Sequence, residues 1–267
     1  MTTNNHTLRL SILGIPVHMV TMEQALSLSM DMILGEKQPG EPCRLIATPN
    51  SEIIVNAEKN QKLSEVLHQA DLIIPDGIGI VYASKILGQP LSERVTGFDL
   101  MSAIIGRMAG SGKSVYLLGS KPGTDEEPGI AQLAGEKMQE AYPDLLIAGT
   151  HHGFFNEAQE AEIVDAINDS GAAFLCVAMG SPRQELFIYR NRDRLHPKAA
   201  IGVGGSLDVW AGALERAPEF FQNNGLEWLY RLIQEPSRYK RMIALPLFML
   251  KVIASKLTGQ KSKGGLS

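Results

Sequence analysis

An aspartate closes a short apolar run at Leu72-Ile73-Ile74-Pro75-Asp76-Gly77, which sets a carboxylate at the end of a buried strand. Pro75 has no donor for a strand ladder, and Gly77 tolerates backbone angles that other residues avoid. Open α/β sheets place their ligands at such strand ends, so Asp76 is read as a ligand-facing acid. Taken alone, an Asp-Gly pair is ordinary turn punctuation. Further polar residues at equivalent places give it weight. Thr48-Pro49-Asn50-Ser51 ends the strand Arg44-Leu45-Ile46-Ala47 and leads directly into a helix. Free helix N–H groups point there too, which suits a polar or anionic ligand as well as it suits a simple cap from Asn50 or Ser51. Arg94-Val95-Thr96-Gly97-Phe98-Asp99 adds a cation and a second carboxylate. Gly180-Ser181-Pro182-Arg183-Gln184-Glu185 follows the run Phe174–Ala178, with Ser181 expected to cap the next helix and Pro182 to fill its first turn. Gly202-Val203-Gly204-Gly205-Ser206-Leu207-Asp208 allows a nucleotide or diphosphate to approach the backbone, although Leu207 breaks the dinucleotide fingerprint.

These residues need a frame that brings strand ends together. Strand and helix signals alternate from Arg44 to Asp208, which predicts an α/β, Rossmann-like, mostly parallel sheet with helices on both faces. In such a sheet Thr48, Asn50, Asp76, Gln184 and Asp208 share one edge and converge on one cleft. Ahead of it, Leu8 to Val20 reads as two short strands turning at Gly14, followed by a helix capped by Thr21. Helices are expected over 78–87 and 98–108, an acidic helix from Thr124 interrupted at Pro128-Gly129, and a strand near Leu145–Ala148. Gly119-Ser120-Lys121-Pro122-Gly123 resembles a phosphate-binding turn without the full P-loop spacing. His151 and His152 are taken as loop residues, since sequence neighbours rarely converge on one metal.

Charge divides the 267 residues unevenly. From Arg216 onward there are nine Lys/Arg and three Glu, a net +6, while the whole chain carries −4, leaving −10 on residues 1–215. A basic end on an acidic body suits phosphate or a membrane surface. Nucleic acid is not expected, because aromatics do not alternate with the cations. The division expected is an α/β domain over 1–215 and a basic helical C-terminal appendage over 216–267. Residues 243–254 are apolar but too short and interrupted to span a bilayer; they suit either its interface or packing on the body. Cys43 and Cys176 sit in apolar runs and read as buried thiols of a reducing compartment. The first residues lack the pattern of a signal peptide.

Thr48-Pro49-Asn50, Pro75-Asp76-Gly77, Arg94–Gly97, Ala178–Glu185, Gly202–Gly205 and Gly225–Arg231 together resemble the WecG/TagA/CpsF glycosyltransferases, over about Leu10 to Thr258. The resemblance implies transfer of N-acetylmannosamine or a related hexose from a UDP-sugar to an undecaprenyl-diphosphate-linked sugar. The setting it implies is polysaccharide or teichoic acid synthesis at the cytoplasmic membrane face, by a protein peripherally associated with that membrane. By the same resemblance Asp76 is the general base. Thr48, Asn50, Arg94 and Gln184 line the sugar pocket, Asp208 lies on the nucleotide side, and Arg231, Arg238 and Arg241 close over the diphosphate. Thr48 and Arg94 are grouped with Asp76 as catalytic residues. Gly180, Ser181, Gly204 and Gly205 are grouped with the substrate-binding residues.

The chemistry agrees. An inverting transfer needs a carboxylate to take the acceptor proton and positive groups to hold the departing diphosphate. No two aspartates flank a single residue, so arginines rather than a metal are expected to do this, and no cofactor is implied. An appendage of this kind could also pack on a neighbouring subunit of a homo-oligomer. Two rivals remain at this point. A nicotinamide-dependent sugar-nucleotide oxidoreductase would use the glycines near Gly202, and a non-catalytic UDP-sugar or lipid-binding module would bind without turnover.

Overall fold

The computed structural model describes residues 8–234 and 244–258, without the side chains of Asn223 and Arg231. Strands β1 (Arg9–Ile12) and β2 (Ile15–His18) form an antiparallel hairpin turning at Leu13-Gly14. Leu10, Ile12, Ile15 and Val17 point into the core, so the hairpin is a lid on the body rather than part of the main sheet. The buried imidazole of His18 fastens it, accepting the Ile73 N–H on Nδ1 at 2.9 Å. Helix α1 (Met22–Leu34) starts in a capping box between Thr21 and Gln24.

The alternation then runs as the sequence predicts. In order come β3 (Arg44–Ala47), α2 (Ser51–Ala57), α3 (Gln61–His68), β4 (Leu72–Ile73), α4 (Ile78–Leu87), α5 (Gly97–Met108) and β5 (Ser114–Gly119). They are followed by α6 (Ile130–Ala141), β6 (Leu146–His151), α7 (Glu160–Asp169), β7 (Phe174–Ala178), α8 (Arg183–Asn191), β8 (Ala199–Gly202) and α9 (Ser206–Trp210). The six strands β3–β8 pair in parallel in the order β4-β3-β8-β7-β5-β6.

Both faces of this sheet are covered. Leu45, Ala47, Leu175 and Val177 pack toward α2, α3, α7 and α8, whereas Ile46, Phe174 and Cys176 pack toward α1, α5 and α6. Alternate side chains thus serve different cores, which is why the central strands read as continuous apolar runs. Beyond α9 lie α10 (Glu219–Asn223), α11 (Glu227–Gln234) and α12 (Ala244–Leu257). Phe248 and Val252 of α12 are fully buried in the core beside α2 and α4, so this helix packs on the body. Its opposite side exposes Leu247, Leu250, Ile253 and Leu257, and Lys251 pairs with Glu58 at 3.0 Å.

Three local expectations are corrected. Residues 124–129 are not helical: the Thr124 hydroxyl accepts the N–H groups of Glu126 and Glu127 in a closed turn, and the helix starts only at Ile130, beyond Pro128. Strand β6 extends to His151, because its pairing with β5 continues through Leu118, so only His152 of the two histidines lies outside the strand. Ser181 does not cap α8. The helix begins at Arg183, and the N–H of Gln184 is met by the Gly180 carbonyl at 3.0 Å instead.

Candidate active site

Strand β7 connects toward β8 and strand β5 connects away toward β6, so neighbouring connections leave in opposite directions between β5 and β7. A crevice opens at the carboxyl ends of a parallel sheet at such a point. There the structure has a cleft of about 490 Å³. Thr48, Asn50, Asp76, Arg94, Gly180, Ser181, Gln184, Gly204, Gly205 and Asp208 all line it. Ten of the thirteen residues expected from the sequence therefore meet in one place, delivered by the ends of β3, β4, β7 and β8 and by the start of α5. Arg238 and Arg241 lie outside the described residues. Arg231 lies within α11, but its side chain is not described.

Each lining group has a local reason for its position. Asn50 caps α2, its Oδ1 accepting the Ile53 N–H at 3.1 Å, which leaves its amide hydrogens for the cleft. Cap and ligand group are one residue. The Thr48 hydroxyl is buried and donates to the Gly202 carbonyl at 2.8 Å, tying the end of β3 to the end of β8. Its lone pairs remain able to accept from a sugar hydroxyl. Asp76 follows β4 in a tight turn in which its N–H bonds to the Ile74 carbonyl at 3.0 Å, with Gly77 at φ 87° opening α4. On the other side of the cleft Asp208, in the first turn of α9, accepts from the Ser120 hydroxyl at 2.9 Å.

Arg94 is held from the C-terminal side. Its guanidinium donates to Glu227 at 3.0 Å and to the Gln222 carbonyl at 3.4 Å. Arg216 pairs with Asp99 and lies over the Phe98 ring at 4.5 Å, while Asp99 also accepts from the Thr96 hydroxyl at 2.6 Å. Residues after 215 thereby form one wall of the cleft, with Arg216, Glu227, Trp228 and Leu245 among its lining residues. Sequence reading counted Arg216 only as one of the tail cations and gave no site role to Ser120, Glu227 or Trp228. Ser120 carried a signal, since it sits in the glycine-rich turn after β5, but Lys121 to Gly123 of that turn do not line the cleft. Glu227 and Trp228 stood within the Gly225–Arg231 motif, but their place in the cleft, like that of Arg216, shows only once the C-terminal helices fold back. Among the described residues, no group of three or more His, Cys, Asp or Glu is arranged to hold a metal ion.

Residues 10–262 match the glycosyl transferase family described as WecG/TagA/CpsF. The chain belongs to that family. It is a glycosyltransferase, and with that the oxidoreductase and the non-catalytic module are set aside. The dinucleotide reading fails physically as well: no strand follows β8 among the described residues, so no βαβ unit starts at Gly202. The transferase is 36% identical over 216 residues to an N-acetylglucosaminyldiphosphoundecaprenol N-acetyl-beta-D-mannosaminyltransferase of Bacillus spizizenii, 81% of each chain being covered. It is 33% identical over 259 residues to a Staphylococcus aureus protein of the same name, covering 97% of this chain and 98% of that one.

Proposed function

We propose that this transferase moves N-acetylmannosamine from a UDP-sugar to N-acetylglucosaminyl-diphosphoundecaprenol, by single displacement with inversion and without a metal. The observation that carries the reading is the meeting of Asp76, Thr48, Asn50, Arg94, Gln184 and Asp208 in one cleft at a sheet edge. The names of the relatives supply the sugar and the acceptor.

Asp76 acts as the base. The acceptor hydroxyl attacks the anomeric carbon while the bond to the β-phosphate oxygen breaks. The hydroxyl proton passes to the Asp76 carboxylate, and the bonding pair leaves with UDP. Thr48, Asn50 and Gln184 hold sugar hydroxyl and acetamido groups. Asp208 suits the nucleoside, because a carboxylate accepts ribose hydroxyls and repels phosphate. Negative charge grows on the departing diphosphate, and arginine forks are the donors matched to it. The family resemblance gives this task to Arg231, Arg238 and Arg241, and sets Arg94 among the residues of the sugar pocket. Residues 216–267 are taken as the appendage that closes the site.

The exposed stripe of Leu247, Leu250, Ile253 and Leu257 on α12, with Lys251 and Lys256 on the same helix, supports peripheral contact with an anionic membrane carrying the lipid acceptor. Among the described residues no helix is long and apolar enough to cross a bilayer.

The deciding experiment offers a panel of UDP-sugars with a short-chain N-acetylglucosaminyl-diphospholipid and detects product by mass, with and without EDTA. Product only from UDP-N-acetylmannosamine, undiminished by EDTA, is expected. Turnover of a different donor overturns the sugar assignment, and restoration by magnesium after EDTA overturns metal independence.

A further inference from the structure

Behind Gln184 lies a carboxyl group that no step above uses. Glu185 is 1% exposed; its Oε2 and the Ser181 Oγ are both buried and close enough to interact, but without a well-formed hydrogen bond. Its Oε1 accepts from Gln184 Nε2 at 2.9 Å. The Gln184 carboxamide oxygen in turn accepts the Gly204 N–H at 3.0 Å. That second bond decides which way the amide faces, since only its oxygen can accept from a backbone N–H. Its nitrogen must then find an acceptor in a buried place, and Glu185 supplies it. Gly202 makes room: a Cβ there would come within 2.7 Å of Gln184 Nε2.

We propose that Glu185 is a positioning residue, fixing the Gln184 carboxamide against the end of β8 so that its second amide hydrogen meets the donor sugar. The inference rests on the UDP-sugar reading above. Burial pushes the Glu185 carboxyl above its usual range, against the opposing effects of hydrogen bonding from Gln184, from its own backbone and from Ser181. What the carboxamide requires is one acceptor oxygen at this distance, which either form of the carboxyl provides.

The test compares the full-length protein with E185M, E185Q and E185D, using calorimetry with UDP and with UDP-N-acetylmannosamine, and initial rates with the short-chain acceptor. Losing the acceptor frees the carboxamide to turn, so E185M and E185D should weaken UDP-sugar binding about tenfold while UDP binds as before. E185Q keeps an acceptor oxygen at the same reach and should return within about threefold of the parent. UDP-sugar affinity unchanged in E185M and E185D overturns the proposal. So does an equal loss for UDP and UDP-sugar, which marks mere structural support. Should E185M not fold, E185D decides by the same comparison. A parent protein that binds UDP but no UDP-sugar rejects the donor reading itself, and the inference with it.

Discussion

At the scale of single residues, the cleft brings together groups whose chemistry differs more than their positions do. Asp76 is the proposed base, and D76N should lower kcat by about 10²–10⁴-fold while leaving UDP-sugar affinity intact. Initial rates and calorimetry on the same preparation check both halves, and normal turnover removes Asp76 as base. Glu185 carries a second, separable consequence. Its folded pKa is raised above the ordinary value near 4.5, so the native protein holds this proton more tightly than the unfolded chain. Stability from this group is therefore full below the ordinary value and declines as pH rises through the raised one. Glutamine at 185 does not titrate. Urea unfolding from about pH 5 to about pH 9 should show E185Q gaining on the parent as pH rises, then levelling off. A difference constant across that range contradicts the assignment. Both acids were visible in the sequence, but only one drew attention. Asp76 follows an apolar run and announces a strand end, whereas Glu185 has a helical position that nothing in its neighbours distinguishes from a solvated one.

At the scale of elements, α4 connects Asp76 to the C-terminal segment. Gly79 lies where this helix crosses α2 and α12, and a Cβ there would come within 2.0 Å of Ser51 Oγ and 2.7 Å of Leu245 Cδ1. Alanine normally favours a helix over glycine by about 1 kcal/mol. Here the crossing outweighs propensity, and G79A should instead destabilise the protein by about 1–3 kcal/mol through overpacking. Equilibrium unfolding measures it; a stabilised variant contradicts the close crossing. Strand and helix order was legible from hydrophobic period because the sheet buries both faces. The failures were at ends: a threonine turn displaced the start of α6, and pairing with β5 lengthened β6. Local competition for N–H groups and partners across the sheet decided those, and neither is written in one segment's pattern.

At the scale of the molecule, the described C-terminal residues pack on the body and line the cleft, Arg216, Glu227, Trp228 and Leu245 among them. Phe248 and Val252 are wholly buried in the core, while Glu227 and Gln222 grip Arg94. Truncation before Arg216 should therefore abolish transfer, and F248A should cost about 3–5 kcal/mol of stability. Replacing the exposed Leu250 and Ile253 by serine touches the opposite side of α12. That variant should keep the fold yet lose sedimentation with anionic lipid vesicles; undiminished sedimentation removes this helix as the membrane contact.

The sequence by itself determined the parallel α/β frame and most of the cleft, because strand ends in such a sheet have a common edge and polar residues there need no further information to converge. Tertiary structure alone decided that Arg94 is held by Glu227, that Ser120 braces Asp208, and that Gln184 leans on a buried acid. Those pairs join residues from 88 to 133 positions apart, or neighbours whose burial depends on the whole core. No local pattern encodes such a meeting, since it exists only after the chain has closed on itself.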